Sequence, residues 1–238
     1  MTISIASYLP EDTKAAAQAA LTPLAYEMQG SLILGIASEV RALAAQGAEI
    51  CNLTVGDFKP GQFGLPDLLS ERIQMEIAAG QTNYPPSDGV PELKKAVADL
   101  YRRDLGLDYG PESVCVGSGA RPPIYSSWQL FVRPGDKTVS FLPMWNVGYY
   151  AYLFQSNHQF VATSAENNFF PTVAQAREAM RGARLMMINS PLNPTGTAIS
   201  EDVLRGIAQA LVDENKGRER PCMWVYDQVY WMLTVGET

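Results

Sequence analysis

The sequence has one histidine, three cysteines and no long apolar run among its 238 residues, and each scarcity excludes a class of protein. A zinc site of several histidines cannot be built, and any Ser-His or Cys-His nucleophile pair would depend on His158 alone. No segment has the apolar length that spans a bilayer, and the first residues lack the pattern of a signal peptide. We therefore expect a cytoplasmic protein without a metal centre.

The three cysteines are odd in number and far apart in the sequence. Cys51, Cys115 and Cys222 each lie in an apolar run that predicts a buried strand. This placement is typical of small buried side chains in a reducing compartment, and it argues against disulfides.

Positive charge is also scarce. Eighteen lysines and arginines face 25 acidic residues, which gives a formal net charge of −7. This field opposes binding to nucleic acid phosphates or to an anionic membrane, so neither partner is expected. Apolar residues make up 47% of the chain and charged ones only 18%, which is enough apolar material for a packed core.

Strand and helix patterns alternate through most of the chain. Helices are predicted over 31–47, 66–80 and 91–106, with a short strand over 50–53. Further strands are predicted over 113–116, 137–141, 159–162, 183–189 and 222–227, with helices between them. Apolar strands in this alternation predict an α/β fold, a three-layer sandwich whose mainly parallel sheet is covered on both faces.

Ligands of such sheets bind at the carboxyl ends of the strands, and two loops there favour an anionic, planar ligand. The loop from Gly117 to Arg121 leads into a helix and would present backbone N–H groups to a phosphate, although it could equally be a tight turn. Trp145 follows another strand, where it is either a stacking platform or a core residue.

Two further loops carry polar groups at the same edge. Asn193 stands between two prolines that fix its backbone, so its amide could donate to a ligand oxygen or could belong to an elaborate turn. Asp227 ends an apolar strand and would pair with a cation or cap a helix, and Tyr230 can point to the same pocket. A flat ring with a basic nitrogen, a ring oxygen and a phosphate would satisfy all four loops, and pyridoxal 5'-phosphate has these groups.

At these residues the sequence resembles the class I aminotransferases of fold type I, the group that includes aspartate and aromatic aminotransferases. The resemblance begins near Ser31 and runs through the motifs LTVGDF, NYPPSDGVPEL, GSGARP, PGD, NSPLNPTG and YDQVY. It implies a homodimer that uses pyridoxal phosphate to move an amino group between an amino acid and a 2-oxo acid. Aspartate or an aromatic amino acid is the favoured donor.

The resemblance also implies a role for each site residue. Asp227 would pair with the pyridine nitrogen, Tyr230 and Asn193 would hold the 3-oxygen, and Asp227 and Tyr230 are the expected catalytic residues. Trp145 would stack on the ring, while the backbone of Gly119 and Ala120 would bind the phosphate together with Arg121. Gly56, Trp145 and Asn193 would contact the substrate, Tyr84 would reach the partner's site, and the Asn193–Pro194 bond would be cis.

The sequence departs from the family pattern in two places. The segment GDFKPGQF differs from the family's usual loop around Gly56, and the Schiff-base lysine that normally follows the Asp-x-x-Tyr motif is not among these residues. We therefore expect an N-terminal part of such an enzyme, without the C-terminal small domain and inactive by itself. Residues 1–55 would form an N-terminal arm and a segment of the small domain, and residues 56–238 an incomplete large domain that binds pyridoxal phosphate.

Three other functions remain open from the sequence. A non-catalytic binding remnant would keep the loops without the lysine, and another fold type I enzyme, such as a carbon-sulfur lyase, would use the same scaffold. A dinucleotide-binding oxidoreductase depends on Gly117 and Gly119 alone, because the third glycine of that fingerprint is not present.

Overall fold

Backbone packing divides the chain into two units, Met1–Tyr84 and Pro85–Thr238. The computed structural model describes residues 12–54, 56, 58, 60–145 and 147–235. The predicted boundary between an arm and a large domain after residue 55 stays a prediction. None of the helices within these described ranges combines the length and apolarity needed to cross a membrane.

The described residues of the first unit form helices joined by irregular segments. Its helices are α1 (Thr13–Ala20), α2 (Pro23–Tyr26), α3 (Leu32–Ala45) and α4 (Asp67–Ala78). The hydroxyl of Ser31 accepts a hydrogen bond from the Leu34 N–H and so caps α3, while Pro66 precedes α4. Both helices that the apolar spacing predicts here are confirmed.

The short strand predicted over 50–53 is wrong. This segment has no regular structure, and Cys51 is exposed rather than buried. The side chain of Asn52 accepts hydrogen bonds from the N–H and the hydroxyl of Thr54, so a local turn takes the place of a ladder. Asparagine side chains compete with strand pairing in this way when no neighbouring strand is at hand.

The second unit contains a parallel sheet with helices between its strands. Its elements in chain order are α5 (Pro91–Leu105), α6 (Arg121–Phe131), β1 (Lys137–Leu142), α7 (Val147–Leu153), β2 (Asn157–Ala162), α8 (Val173–Met180), β3 (Leu185–Asn189), α9 (Glu201–Asn215) and β4 (Met223–Asp227). Short 3₁₀ turns cover Pro111–Ser113, Ala165–Asn167 and Trp231–Leu233. The strands follow the order β2-β1-β3-β4, and all three pairings are parallel. The predicted α/β class is confirmed.

Side chains of β3 alternate between two core layers, as the pleat of a strand requires. Met186 and Ile188 pack with residues of α8 and α9, while Leu185 and Met187 pack with residues of α6 and α7. All five residues of the strand are buried. Helices therefore cover both faces of the sheet, which is the three-layer arrangement that the sequence predicts.

The strand predicted over 113–116 is also wrong. A 3₁₀ turn ends at Ser113, and the following residues are extended without a neighbouring strand in the described part of the chain. The Val116 N–H donates instead to the Asp88 carbonyl at 2.9 Å, and Cys115 is exposed. Only Cys222, directly before β4, is buried as predicted, and burial raises the pKa of its thiol to about 11.

Candidate functional site

A cavity of about 210 Å³ opens where β3 and β4 end, at the carboxyl edge of the sheet. Residues of four predicted loops meet there, together with three residues to which the sequence assigned no role. The lining consists of Ala120, Arg121, Ile124, Trp145, Asn189, Asn193, Asp227, Val229 and Tyr230. Six of the predicted site residues therefore come together in one place.

Asp227 is the last residue of β4, and it is half-buried. Burial raises the pKa of this carboxyl group above its ordinary value, because a charged oxygen loses its water. One carboxylate oxygen accepts a hydrogen bond from the Val229 N–H at 3.1 Å, which opposes that rise. No ion pair in the described ranges involves Asp227, so no neighbouring cation offsets the cost of ionising this half-buried carboxyl group.

Asn193 and Tyr230 form a polar pair at the side of the cavity. The Asn193 Nδ2 donates a hydrogen bond to the Tyr230 Oη at 3.1 Å. The Tyr230 hydroxyl accepts in this contact, so its own hydrogen stays available for a ligand oxygen, as does the second Nδ2 hydrogen of Asn193. The bonds Ser190–Pro191 and Asn193–Pro194 are both cis, which confirms the prediction for Asn193–Pro194.

The turn before α6 has backbone N–H groups that are available for the expected phosphate. Gly119 has a φ of +87°, which favours glycine, and a side chain at Gly117 would come within 3.0 Å of the Pro123 ring. Proline has no N–H, and the Gly119 N–H already donates to the Gly117 carbonyl. In the part of the chain that the structure describes, the N–H groups of Ala120 and Arg121 are among those of this turn that have no protein acceptor and could donate to an anion.

Trp145 lies at the cavity with 37% of its surface exposed, and Arg121 stacks on it. The Arg121 guanidinium carbon is 4.7 Å from the centre of the indole ring, within the range of a cation–π contact. The same residue that would bind a phosphate therefore also touches the ring that would support the ligand. A planar ligand would have to stack on indole surface that Arg121 leaves free.

Asn189 is the functional candidate that the sequence reasoning missed. It ends β3, is 4% exposed and bonds to two of the loops at once. Its Nδ2 donates to the Asp227 carbonyl at 3.0 Å, and its Oδ1 accepts from the Asn193 N–H at 2.8 Å. A polar residue at the end of an otherwise apolar strand was a visible signal, but the predicted chemistry of this loop was assigned to Asn193 alone.

Tyr150 of α7 is a second residue without a predicted role. It is buried, and burial raises the pKa of its hydroxyl. The charge of Arg121 lowers the pKa of this hydroxyl and that of Asp227 raises it.

Gly56 and Tyr84 lie in the first unit, where the Tyr84 side chain is exposed. Their predicted roles stay predictions.

The sheet and the cavity define an α/β protein with a cavity at the carboxyl edge of its parallel strands, the place where folds of this class bind ligands. The chain belongs to the aminotransferase class I and II family, whose model matches residues 48–230.

Similar proteins with known names are aminotransferases. A probable aspartate/prephenate aminotransferase of Rhizobium leguminosarum bv. phaseoli is 31% identical over 211 residues, which are 87% of this chain and 50% of that protein. An aspartate aminotransferase of Bacillus subtilis (strain 168) is 28% identical over 91% of this chain and 52% of its own length.

A solved structure leads to the same family. The aspartate aminotransferase of Thermus thermophilus with maleate superposes with a TM-score of 0.79 at 27% identity, over 87% of this chain and 52% of that one. The chain thus spans about half the length of the relatives it matches.

Proposed function

We propose that the intact protein is a pyridoxal-phosphate-dependent aminotransferase that moves an amino group between an amino acid and a 2-oxo acid. The observation that carries the proposal is the meeting of Arg121, Trp145, Asn193, Asp227 and Tyr230 around one cavity. When bound, pyridoxal phosphate supplies an electron sink for the electron pair released at the substrate's α carbon.

The residues of the cavity fit the groups of this cofactor. A protonated ring nitrogen is the cation that the half-buried Asp227 carboxylate lacks, and the carboxylate would hold that proton in place. Asn193 and Tyr230 point hydrogen-bond donors to one side, where an anionic ring oxygen would accept them. The Arg121 guanidinium and the N–H groups of Ala120 and Arg121 would bind the phosphate, next to the turn at Gly119.

The substrate class is a finer part of the proposal. Aspartate is the first donor to test, because relatives named above are aspartate aminotransferases and one of them was solved with the dicarboxylate maleate. Trp145 and Asn193 line the cavity, and Gly56 would add a backbone contact to the substrate carboxylate. We further propose a cytoplasmic homodimer in which Tyr84 reaches the partner's phosphate, a role that its exposed side chain permits.

The experiment is a trapping reaction followed by a donor panel. The protein expressed from its own gene is incubated with pyridoxal phosphate, reduced with borohydride and weighed intact under denaturing conditions. One reduced cofactor per chain and transfer from aspartate to 2-oxoglutarate support the proposal. No stoichiometric adduct, or an adduct without transfer from any amino acid in the panel, contradicts it.

A further inference from the structure

Asn189 joins the two loops that carry the proposed ring contacts. Strands β3 and β4 pair in a register that sets Asn189 beside Asp227 at the ends of both strands. From that position its side-chain amide bonds to the Asp227 carbonyl and to the Asn193 N–H. No other described side chain bonds to the backbone of both Asp227 and Asn193.

Because Asn189 is buried, its two hydrogen bonds restrict the movement of the Asn193 and Asp227 backbone. The side chain is 4% exposed, so each of its bonded amide atoms would be left without water if a partner moved. Holding the Asn193 backbone orients the side chain that donates to Tyr230, and holding the Asp227 carbonyl fixes the strand end from which the carboxylate projects. Rigid placement before binding increases affinity because less freedom is lost on binding.

We propose that Asn189 is a positioning residue that holds Asn193 and Asp227 in the arrangement that binds the cofactor ring. The inference rests on the proposed function for the identity of the ligand, but the bonds themselves exist without one. Asn189 acts through its neighbours, so its removal reduces ligand affinity only as far as those neighbours are displaced.

The chain offers a matched control at the opposite end of β4. The Asn215 Nδ2 donates to the Cys222 carbonyl at 2.9 Å, and its Oδ1 accepts from the Cys222 N–H at 2.6 Å. Asn215→Ala therefore removes the same two kinds of bond as Asn189→Ala, but it does so at the amino edge of the sheet. A purely structural contribution would give both variants the same phenotype.

The ligand-free test is amide hydrogen exchange of the intact protein. Asn189→Ala is expected to speed exchange of the Asn193 N–H by tenfold or more, whereas Asn215→Ala leaves it unchanged. If Asn189→Ala does not fold, Asn189→Ser takes its place, since the serine hydroxyl is too short to reach both partners. Unchanged exchange at Asn193 overturns the proposal whatever the ligand is.

The ligand test uses pyridoxamine 5'-phosphate, which binds without forming a bond to a lysine. Asn189→Ala is expected to raise the dissociation constant of this ligand by roughly tenfold, which is the effect of losing one to two neutral hydrogen bonds. Asn215→Ala is expected to raise it by less than twofold. The double variant Asn189→Ala with Asn193→Ala is expected to lose less binding free energy than the sum of the losses in the two single variants. Equal weakening by Asn215→Ala, or full additivity, overturns the proposal, whereas no binding by the unsubstituted protein contradicts the proposed function instead.

Discussion

The one histidine of the chain gives a stability prediction that can be worked from its surroundings. His158 of β2 lies between two side chains of β1: its Nδ1 is 2.7 Å from the Thr138 Oγ1 and its Nε2 is 2.8 Å from the Ser140 Oγ. The rings of Trp128 and Phe160 pack against it, and Ser156 bonds to Thr138. Burial lowers the pKa of His158 from 6.5 to about 4.

This shift makes the folded protein less stable in mild acid. In the unfolded chain the imidazole takes up its proton as the pH falls through about 6.5, but in the folded protein it does so only near 4. Stability is therefore complete above about pH 6.5 and is lost as the pH falls toward 4. The full shift corresponds to about 3 kcal/mol, and because water screens part of the charge on the partly buried ring, the expected loss of stability is about 1–2 kcal/mol.

The assay combines nuclear magnetic resonance with urea unfolding. The imidazole signal of His158 is the one that disappears in the His158→Gln variant, and its position is followed with pH. The free energy of unfolding of the unsubstituted protein and of His158→Gln is measured from pH 7.5 to pH 5. The unsubstituted protein should lose about 1 kcal/mol more than His158→Gln over this range. A His158 pKa of 6 or above, or parallel stability profiles for the two proteins, would refute the reasoning.

Two further substitutions test the site and the packing. Tyr230→Phe removes the acceptor of the Asn193 side chain and should weaken pyridoxamine phosphate binding about two- to tenfold in a titration. The free energy of unfolding should change by less than about 1 kcal/mol. Unchanged affinity would contradict the role of the Asn193–Tyr230 pair. Gly206→Ala would set a Cβ 2.5 Å from the Val173 Cγ2 and should cost about 1–2 kcal/mol in urea unfolding. Gly148→Ala is its control, because a Cβ there meets Phe160 only at 3.8 Å; equal losses would refute the packing argument.

The sequence predicts the sheet well where strands follow one another through a helix. The apolar runs of β1, β3 and β4 are bounded by turn residues, and their neighbours in the sheet come from the same repeating pattern. The runs at 50–53 and 113–116 have similar composition but no neighbouring strand in the described residues. Whether a strand has a neighbouring strand depends on residues far away in the sequence, so the composition of a short apolar run does not predict it.

The same distinction separates the predicted site residues from the missed one. Asp227, Tyr230 and Asn193 carry groups whose chemistry is visible in the residue type, and the rule that ligands bind at the carboxyl edge brings them together. Asn189 matters because the register of β3 against β4 sets it beside Asp227. A register depends on the packing of the whole sheet, so this contact became visible only in three dimensions.

The half-buried carboxyl group of Asp227 leads to a last prediction, on the pH dependence of binding. Burial without a cation raises the pKa of the free carboxyl group, and a cationic ring nitrogen would lower it again by favouring the charged form. A ligand that prefers the carboxylate loses affinity as the pH falls through the raised pKa, because a proton must then leave for binding. Asp227→Asn removes this titrating group and should weaken pyridoxamine phosphate binding by about ten- to a hundredfold, the scale of a charge-assisted hydrogen bond. Because the ligand also titrates, the measured quantity is the dissociation constant of Asp227→Asn divided by that of the unsubstituted protein at each pH. This ratio should decrease as the pH falls. A ratio that does not change with pH would mean that the Asp227 carboxylate does not face the ring nitrogen.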